Sequence, residues 1–95
     1  MKNPNRKTVV ELEDLPNIGP AMARDLRLLN IKHPQQLIGN NAYHMHSKLC
    51  QLTGKVQDPC VIDVFLAAVH FMEGGESAPW WDFSKERKEY LSSKL

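Results

Sequence analysis

The stretch Leu15-Pro16-Asn17-Ile18-Gly19-Pro20 offers main-chain chemistry rather than side-chain chemistry. A stop signal and a start signal stand four residues apart, so a sharp bend must lie between them. The N–H groups just inside a helix start have no partner within the helix and carry the positive end of its dipole. Amides at Asn17, Ile18, Gly19, Ala21 and Met22 are therefore candidates to receive a phosphate. Arg24, Arg27 and Lys32 follow the bend and could reach flanking phosphates. Glu11, Glu13 and Asp14 precede it and would oppose them. Without a ligand, the same residues make a purely structural helix corner.

Other side chains allow less. Cys60 lies near a helix start, where a dipole lowers a thiol pKa, but Asp58 and Asp63 work against that. Read plainly, it is a small buried hydrophobe. His46 and Cys50 share a helical face and His70 could approach them, whereas His44 points elsewhere. No paired Cys-x-x-Cys accompanies them, so no metal is expected. Trp80-Trp81 could stack on bases; the simpler role is a lid on a small core, one ring in and one partly out. No Ser-His-Asp set and no nucleotide-binding loop occurs, and no enzyme is expected.

The elements that must hold these groups are all helical. Thr8 and Glu11 fit a capping box that opens a short helix of about 7 residues, with Val9, Leu12 and Leu15 on one side. Pro20 opens a second helix, with Met22, Leu26 and Leu29 in a stripe and Asn30 as a left-handed stop. His33-Pro34 opens a short helix near residues 34–38 that Gly39 ends. Asn40 or Asn41 caps the next, which carries Ala42, Met45, Leu49 and Leu52 and closes at Thr53-Gly54. Asp58-Pro59 then starts a helix to about residue 73 that is apolar nearly all round. Its one small or polar stripe is Cys60, Asp63, Ala67, His70 and Gly74, and such a helix belongs at the centre of a domain. Ser84 is a candidate cap for a last, charged helix, whose Lys85, Arg87, Lys88 and Lys94 alternate with Glu86 and Glu89 as a solvated face. No segment alternates like a strand. The expected class is all-α, with five to six short helices around the central apolar one.

At 95 residues the chain fits one domain, expected over residues 8–90, with 1–7 and 91–95 as flexible termini. A net charge of +1 provides no global attraction for polyanions, so any nucleic-acid contact must be local. The run Val61–Met72 is interrupted by Asp63 and His70 and falls short of the ~20 residues that span a bilayer, and the N-terminus has no apolar signal region. A cytoplasmic protein with reduced thiols and no membrane association is expected.

Leu15-Pro16-Asn17-Ile18-Gly19, three residues, Ala23 and then Leu26 resemble the helix-hairpin-helix motif. Ile18 would plug the space between two helices, Gly19 would permit close backbone approach, and Ala23 would let the helices pack tightly. Asn17 stands where the first glycine of the motif usually stands, and Pro20 removes one amide donor. The likeness extends through PQQL, LCQLTG, DPCVIDVFLAAVHFMEGG and PWW to a family of short bacterial proteins, the pathogenicity-locus family, often labelled mitomycin resistance proteins. The front half is also similar to the C-terminal domain of the competence regulator TfoX. The resemblance implies a helix-hairpin-helix fold, similar to a sterile-alpha-motif domain, that binds DNA. It further implies that a monovalent cation could bridge the hairpin carbonyls and a phosphate. Helix-hairpin-helix glycosylases place a catalytic Asp downstream; here Asp58 is explained by its capping role, and the chain is short for a base-flipping pocket.

The expected function is non-specific, non-catalytic binding of the DNA backbone. With few phosphate contacts, affinity would be of the order of 10⁻⁴ to 10⁻⁶ M and salt-sensitive. Residues 37–40 imitate a second hairpin poorly, so a homodimer or a larger protein partner would have to add avidity. The alternative is a protein-interaction or scaffolding domain that uses the Cys60–His70 stripe or the Trp80-Trp81 corner.

Overall fold

Short distances between stop signals decide which segments become α-helices. The structure, a computed structural model, describes residues 5–93. Among them are four α-helices, α1 (Pro20–Leu28), α2 (Ala42–Thr53), α3 (Cys60–Met72) and α4 (Ser84–Ser93), and no strand. Leu12–Asp14, Pro34–Leu37 and Trp80–Phe83 are single 3-10 turns. The expectation of five to six helices is thus corrected to four. Residues 8–15 and 34–38 lie between breakers too close together to repay the cost of nucleating an α-helix.

The first capping box also moves. Thr8 turns back to Asn5, its hydroxyl donating to the Asn5 carbonyl at 3.1 Å. The Asp14 carboxylate instead accepts from the amides of Val10 at 3.1 Å and Glu11 at 2.9 Å. The element therefore begins at Leu12 rather than at Thr8. Other punctuation falls where the sequence places it. Asn30 adopts φ 65°, ending α1. Asn41 Oδ1 accepts from the amides of Tyr43 and His44, and Gly54 at φ 70° closes α2. Asp58 Oδ1 accepts from the Cys60 amide at 2.8 Å at the start of α3.

Helix α3 is the core of the molecule. Phe65 and Ala68 are fully buried, and Phe71 nearly so. It packs against α2, α4 and the turns Pro34–Leu37 and Trp80–Phe83, while α1 lies on α2 and on Leu12–Asp14. The centre of its polar stripe is covered from within. Asp63 is 0% exposed, and the Arg87 guanidinium on α4 meets its carboxylate with Nε at 2.9 Å and a second nitrogen at 3.1 Å. Ser84 does not cap α4; its hydroxyl donates to the same carboxylate at 2.6 Å. Arg87 is accordingly no part of a solvated face, since its side chain is only 12% exposed.

The segments expected as flexible tails are used in part. Arg6 donates from Nε to the Phe71 carbonyl and from a terminal nitrogen to the Gly75 carbonyl, both at 2.8 Å, and its guanidinium lies over the Phe71 ring. It thereby satisfies carbonyls at the C-terminal end of α3, where positive charge also suits the helix dipole. α4 continues through Ser93. The expectations for residues 1–4 and 94–95, including Lys94, fall outside the described residues.

Candidate nucleic-acid interface

The bend at residues 15–18 has the pattern of a type II turn. Its Ile18 amide donates to the Leu15 carbonyl at 3.3 Å, Pro16 occupies the second position, and Asn17 adopts φ 68° in the third. That position requires a left-handed backbone, which Asn tolerates far better than most residues, and a proline before it suits the turn. The chain then holds Leu15, Pro16 and Ile18 buried, with Ile18 at 0% exposure. Ile18 therefore joins the core through its side chain, and its amide, expected to face a phosphate, is instead taken by the Leu15 carbonyl, which closes the turn.

Gly19 next takes an extended conformation, φ −95° and ψ −174°, and Pro20 begins α1. The Gly19 carbonyl accepts from Ala23 N at 2.9 Å. Among the described residues no acceptor meets the N–H groups of Gly19, Ala21 or Met22. Pro20 has no N–H to offer. A Cβ built on Gly19 would meet nothing within 4 Å, so neither backbone angle nor internal packing demands glycine there. The space outside it is open. The Met22 side chain is half-buried against the core, so its amide rather than its thioether belongs to this surface.

The cations divide. Arg27 grips Glu13 with two nitrogens, at 3.0 and 3.1 Å, and this hydrogen-bonded carboxylate holds its pKa above the ordinary arginine value. Both partners remain partly exposed, so the pair is screened by solvent and exchangeable. Asp14 is likewise committed, to Val10 and Glu11. Arg24 is exposed, and among the described residues no ion pair or hydrogen bond occupies its side chain. Lys32 is exposed too but follows the far end of α1, about 14 Å of helix from the amides. Asn17, Gly19, Ala21, Met22 and Arg24 thus cluster at one bend. Arg27 is held beside it by Glu13, and Lys32 is not brought in.

Asn17 does something its sequence position did not disclose. Its side-chain nitrogen donates to the Ala78 carbonyl at 2.8 Å, and its oxygen accepts from the Trp80 amide at 3.2 Å. The side chain is thereby turned into the loop before α4. The only sequence signal was its departure from the motif glycine. The two tryptophan rings meet edge to face with centroids 5.6 Å apart; Trp80 is half-buried and Trp81 is 61% exposed.

The remaining candidates serve the fold. His46 Nε2 lies 3.0 Å from the Gln57 carbonyl, and the Gln57 amide donates to Cys50 Sγ at 3.3 Å, so these side chains anchor the loop before α3. Among the described residues no group of three or more His, Cys, Asp or Glu is placed to hold a metal. His70 instead packs its ring against Gly75 and lies edge-on to Phe83. The Cys60 thiol is pushed up by its hydrogen bond to the Asp58 carboxylate, with burial adding to the effect, which is opposite to dipole activation. The stripe proposed as a protein-contact surface is closed at its centre, where Asp63 and Ala67 are buried. Among the described residues no helix is long and apolar enough to cross a membrane.

The sequence model of the family described as Cdd1, pathogenicity locus, matches residues 5–89. The chain is 30% identical over 84 residues to the mitomycin resistance protein McrB of Streptomyces lavendulae, covering 88% of this chain and 80% of that protein. No solved structure matches the chain. With nearly its whole length matched, the chain belongs to the pathogenicity-locus family.

Proposed function

We propose that this chain is a non-catalytic module that holds the DNA backbone without regard to sequence. Leu12–Asp14, the bend and α1 act as a helix-hairpin-helix whose first helix is reduced to one 3-10 turn. The carrying observation is that the Gly19, Ala21 and Met22 amides, at the positive end of α1, meet no internal acceptor among the described residues, and that the space beside Gly19 is open. A phosphate oxygen suits that set by charge and by hydrogen bonding. Arg24 adds a cation beside it, and Arg27 can join by exchanging Glu13 for a phosphate. A monovalent cation on the hairpin carbonyls would strengthen the grip, but the amide contacts do not require one.

Backbone contacts carry no sequence information. So few of them imply a dissociation constant of about 10⁻⁴ to 10⁻⁶ M, and a second copy or a larger partner would supply avidity. A second reading, a protein-docking domain centred on the Trp80-Trp81 corner, draws on the 61% exposure of Trp81.

Fluorescence anisotropy with a labelled duplex at low and moderate salt separates the two. Binding should weaken with salt, with a log–log slope of roughly 0.9 per phosphate neutralised. Gly19→Val fills the open space at a helix-capping cost of only about 1 kcal/mol and should weaken binding while leaving the fold intact. Arg24→Glu should lower both affinity and slope. No binding at tens of micromolar in low salt would end the DNA reading, as would binding that both variants leave untouched.

A further inference from the structure

The chain has two tyrosines, and the fold brings them together. Arg87 and Tyr90 stand three residues apart and share one face of α4. The buried Asp63 carboxylate draws Arg87 inward, and the same face lays Tyr90 against Tyr43 on α2. The two rings lie face to face, 19° from parallel, with centroids 3.7 Å apart. Aromatic pairs in proteins keep roughly 4.5–7 Å between centroids, offset or edge to face. This pair is closer than stacking alone requires.

A second observation concerns the Tyr43 oxygen. It is buried and meets no hydrogen-bond partner among the described residues. Burial, with the Glu86 carboxylate adding to it, pushes the Tyr43 pKa up, so the group stays a neutral phenol. A buried hydroxyl without a partner costs stability. Phenylalanine would stack as well without that cost. The fold therefore gives the oxygen no hydrogen-bonding role, which leaves the redox chemistry of a phenol.

We propose that Tyr43 and Tyr90 form an oxidation site, closed to dityrosine by a one-electron oxidant fed by peroxide. Each ring loses one electron to the oxidant and its phenolic proton to water. The two phenoxyl radicals join through a carbon ortho to each oxygen. The hydrogens on those two carbons then move to the oxygens, which restores both phenols. Two electrons and two protons leave the protein in all, and they reduce one hydrogen peroxide to two waters. The stack favours the bond-forming step because the faces that carry the unpaired electrons already meet. The product staples α4 to α2 across the whole of α3. None of this rests on the DNA reading.

The test is treatment of the full chain with a haem peroxidase and hydrogen peroxide, read by dityrosine fluorescence, denaturing gel and intact mass. Wild-type protein should become fluorescent while still migrating as a monomer. Its mass should fall by two hydrogens, and the peptides that hold Tyr43 and Tyr90 should be linked. Tyr43→Phe and Tyr90→Phe should each abolish the monomeric product. Both keep the ring, and the Tyr43 oxygen has no partner to lose, so circular dichroism should be unchanged. In urea, where the rings separate, the yield of monomeric product should fall by about tenfold or more. The linked protein should melt roughly 8 °C or more above the untreated one. Dityrosine found only in covalent dimers would overturn the proposal, as would a monomer yield that urea leaves unchanged. So would linked protein that melts no higher, or native protein that gains oxygen at methionine and tryptophan without forming the link.

Discussion

The Asn17 side chain accepts the Trp80 amide at 3.2 Å while its own backbone stands at φ 68°. One residue thus meets two demands, a left-handed turn and a tie to a loop more than sixty residues away. Replacing it by glycine keeps the first and removes the second. Each lost bond costs about 0.5–1.5 kcal/mol, and relief of the left-handed backbone returns roughly 1 kcal/mol. Asn17→Gly should therefore cost about 0–2 kcal/mol in urea denaturation. Amide exchange at residues 78–81 should nevertheless accelerate. Asn17→Ala loses both contributions and should cost about 2–4 kcal/mol. Equal stability of the two variants would refute this division of labour.

The Asp63 carboxylate has no exposure and, among the described residues, takes its hydrogen bonds from Arg87 and Ser84. Removing one partner of a buried ion pair leaves an uncompensated charge, at a cost of about 3–5 kcal/mol. Arg87→Ala should fall near the lower figure, since Ser84 still donates, and α4 should lose helical signal before the rest of the chain. The double replacement Asp63→Leu with Arg87→Met should recover most of the loss. A cost below about 1 kcal/mol for Arg87→Ala would mean that α4 is held by other contacts.

Arg6 closes the C-terminal end of α3 through the Phe71 and Gly75 carbonyls. Hydrogen bonds to a charged group contribute about 1.5–3 kcal/mol each, so Arg6→Ala, which removes two at a part-buried site, should cost about 3 kcal/mol. Arg6→Lys should recover little, because an ammonium cannot span the same two carbonyls as a planar fork. Deleting residues 1–7, which composition alone marks as dispensable, should cost at least as much. Thermal melting of the three variants checks this order.

The Cys60 thiol sits beside an anion, Asp58, whose own pKa is lowered by its bond to the Cys60 amide. Ionising the thiol would place two negative charges together, so its pKa is raised. A raised folded-state value means the stability linked to the protonated thiol is lost as pH climbs through that value, on the alkaline side. At mildly alkaline pH, Cys60 should alkylate slowly with iodoacetamide. Asp58→Asn should speed the reaction. An unchanged rate would show that Asp58 does not govern the thiol.

What could be read from residue order was whatever acts within one turn. Pro16 and Pro20 set the bend, Asn17 and Asn30 took left-handed angles, and Gly54 closed a helix, because each signal works through its own φ or its neighbours' amides. The all-round apolar character of residues 60–72 likewise placed that helix at the centre. Local signals overstated helix where breakers crowd, as at residues 8–15, since nucleation needs more room than a capping pattern reveals. Tertiary structure alone decided which charges remain available. Arg24 and Arg27 look alike in sequence, yet Glu13 holds one of them across fourteen residues. Arg87 looked like a surface cation until α4 folded onto Asp63, and Trp81 was left in solvent because Trp80 took the lid. Such pairings depend on where packing brings distant segments, and no periodicity within a segment encodes that.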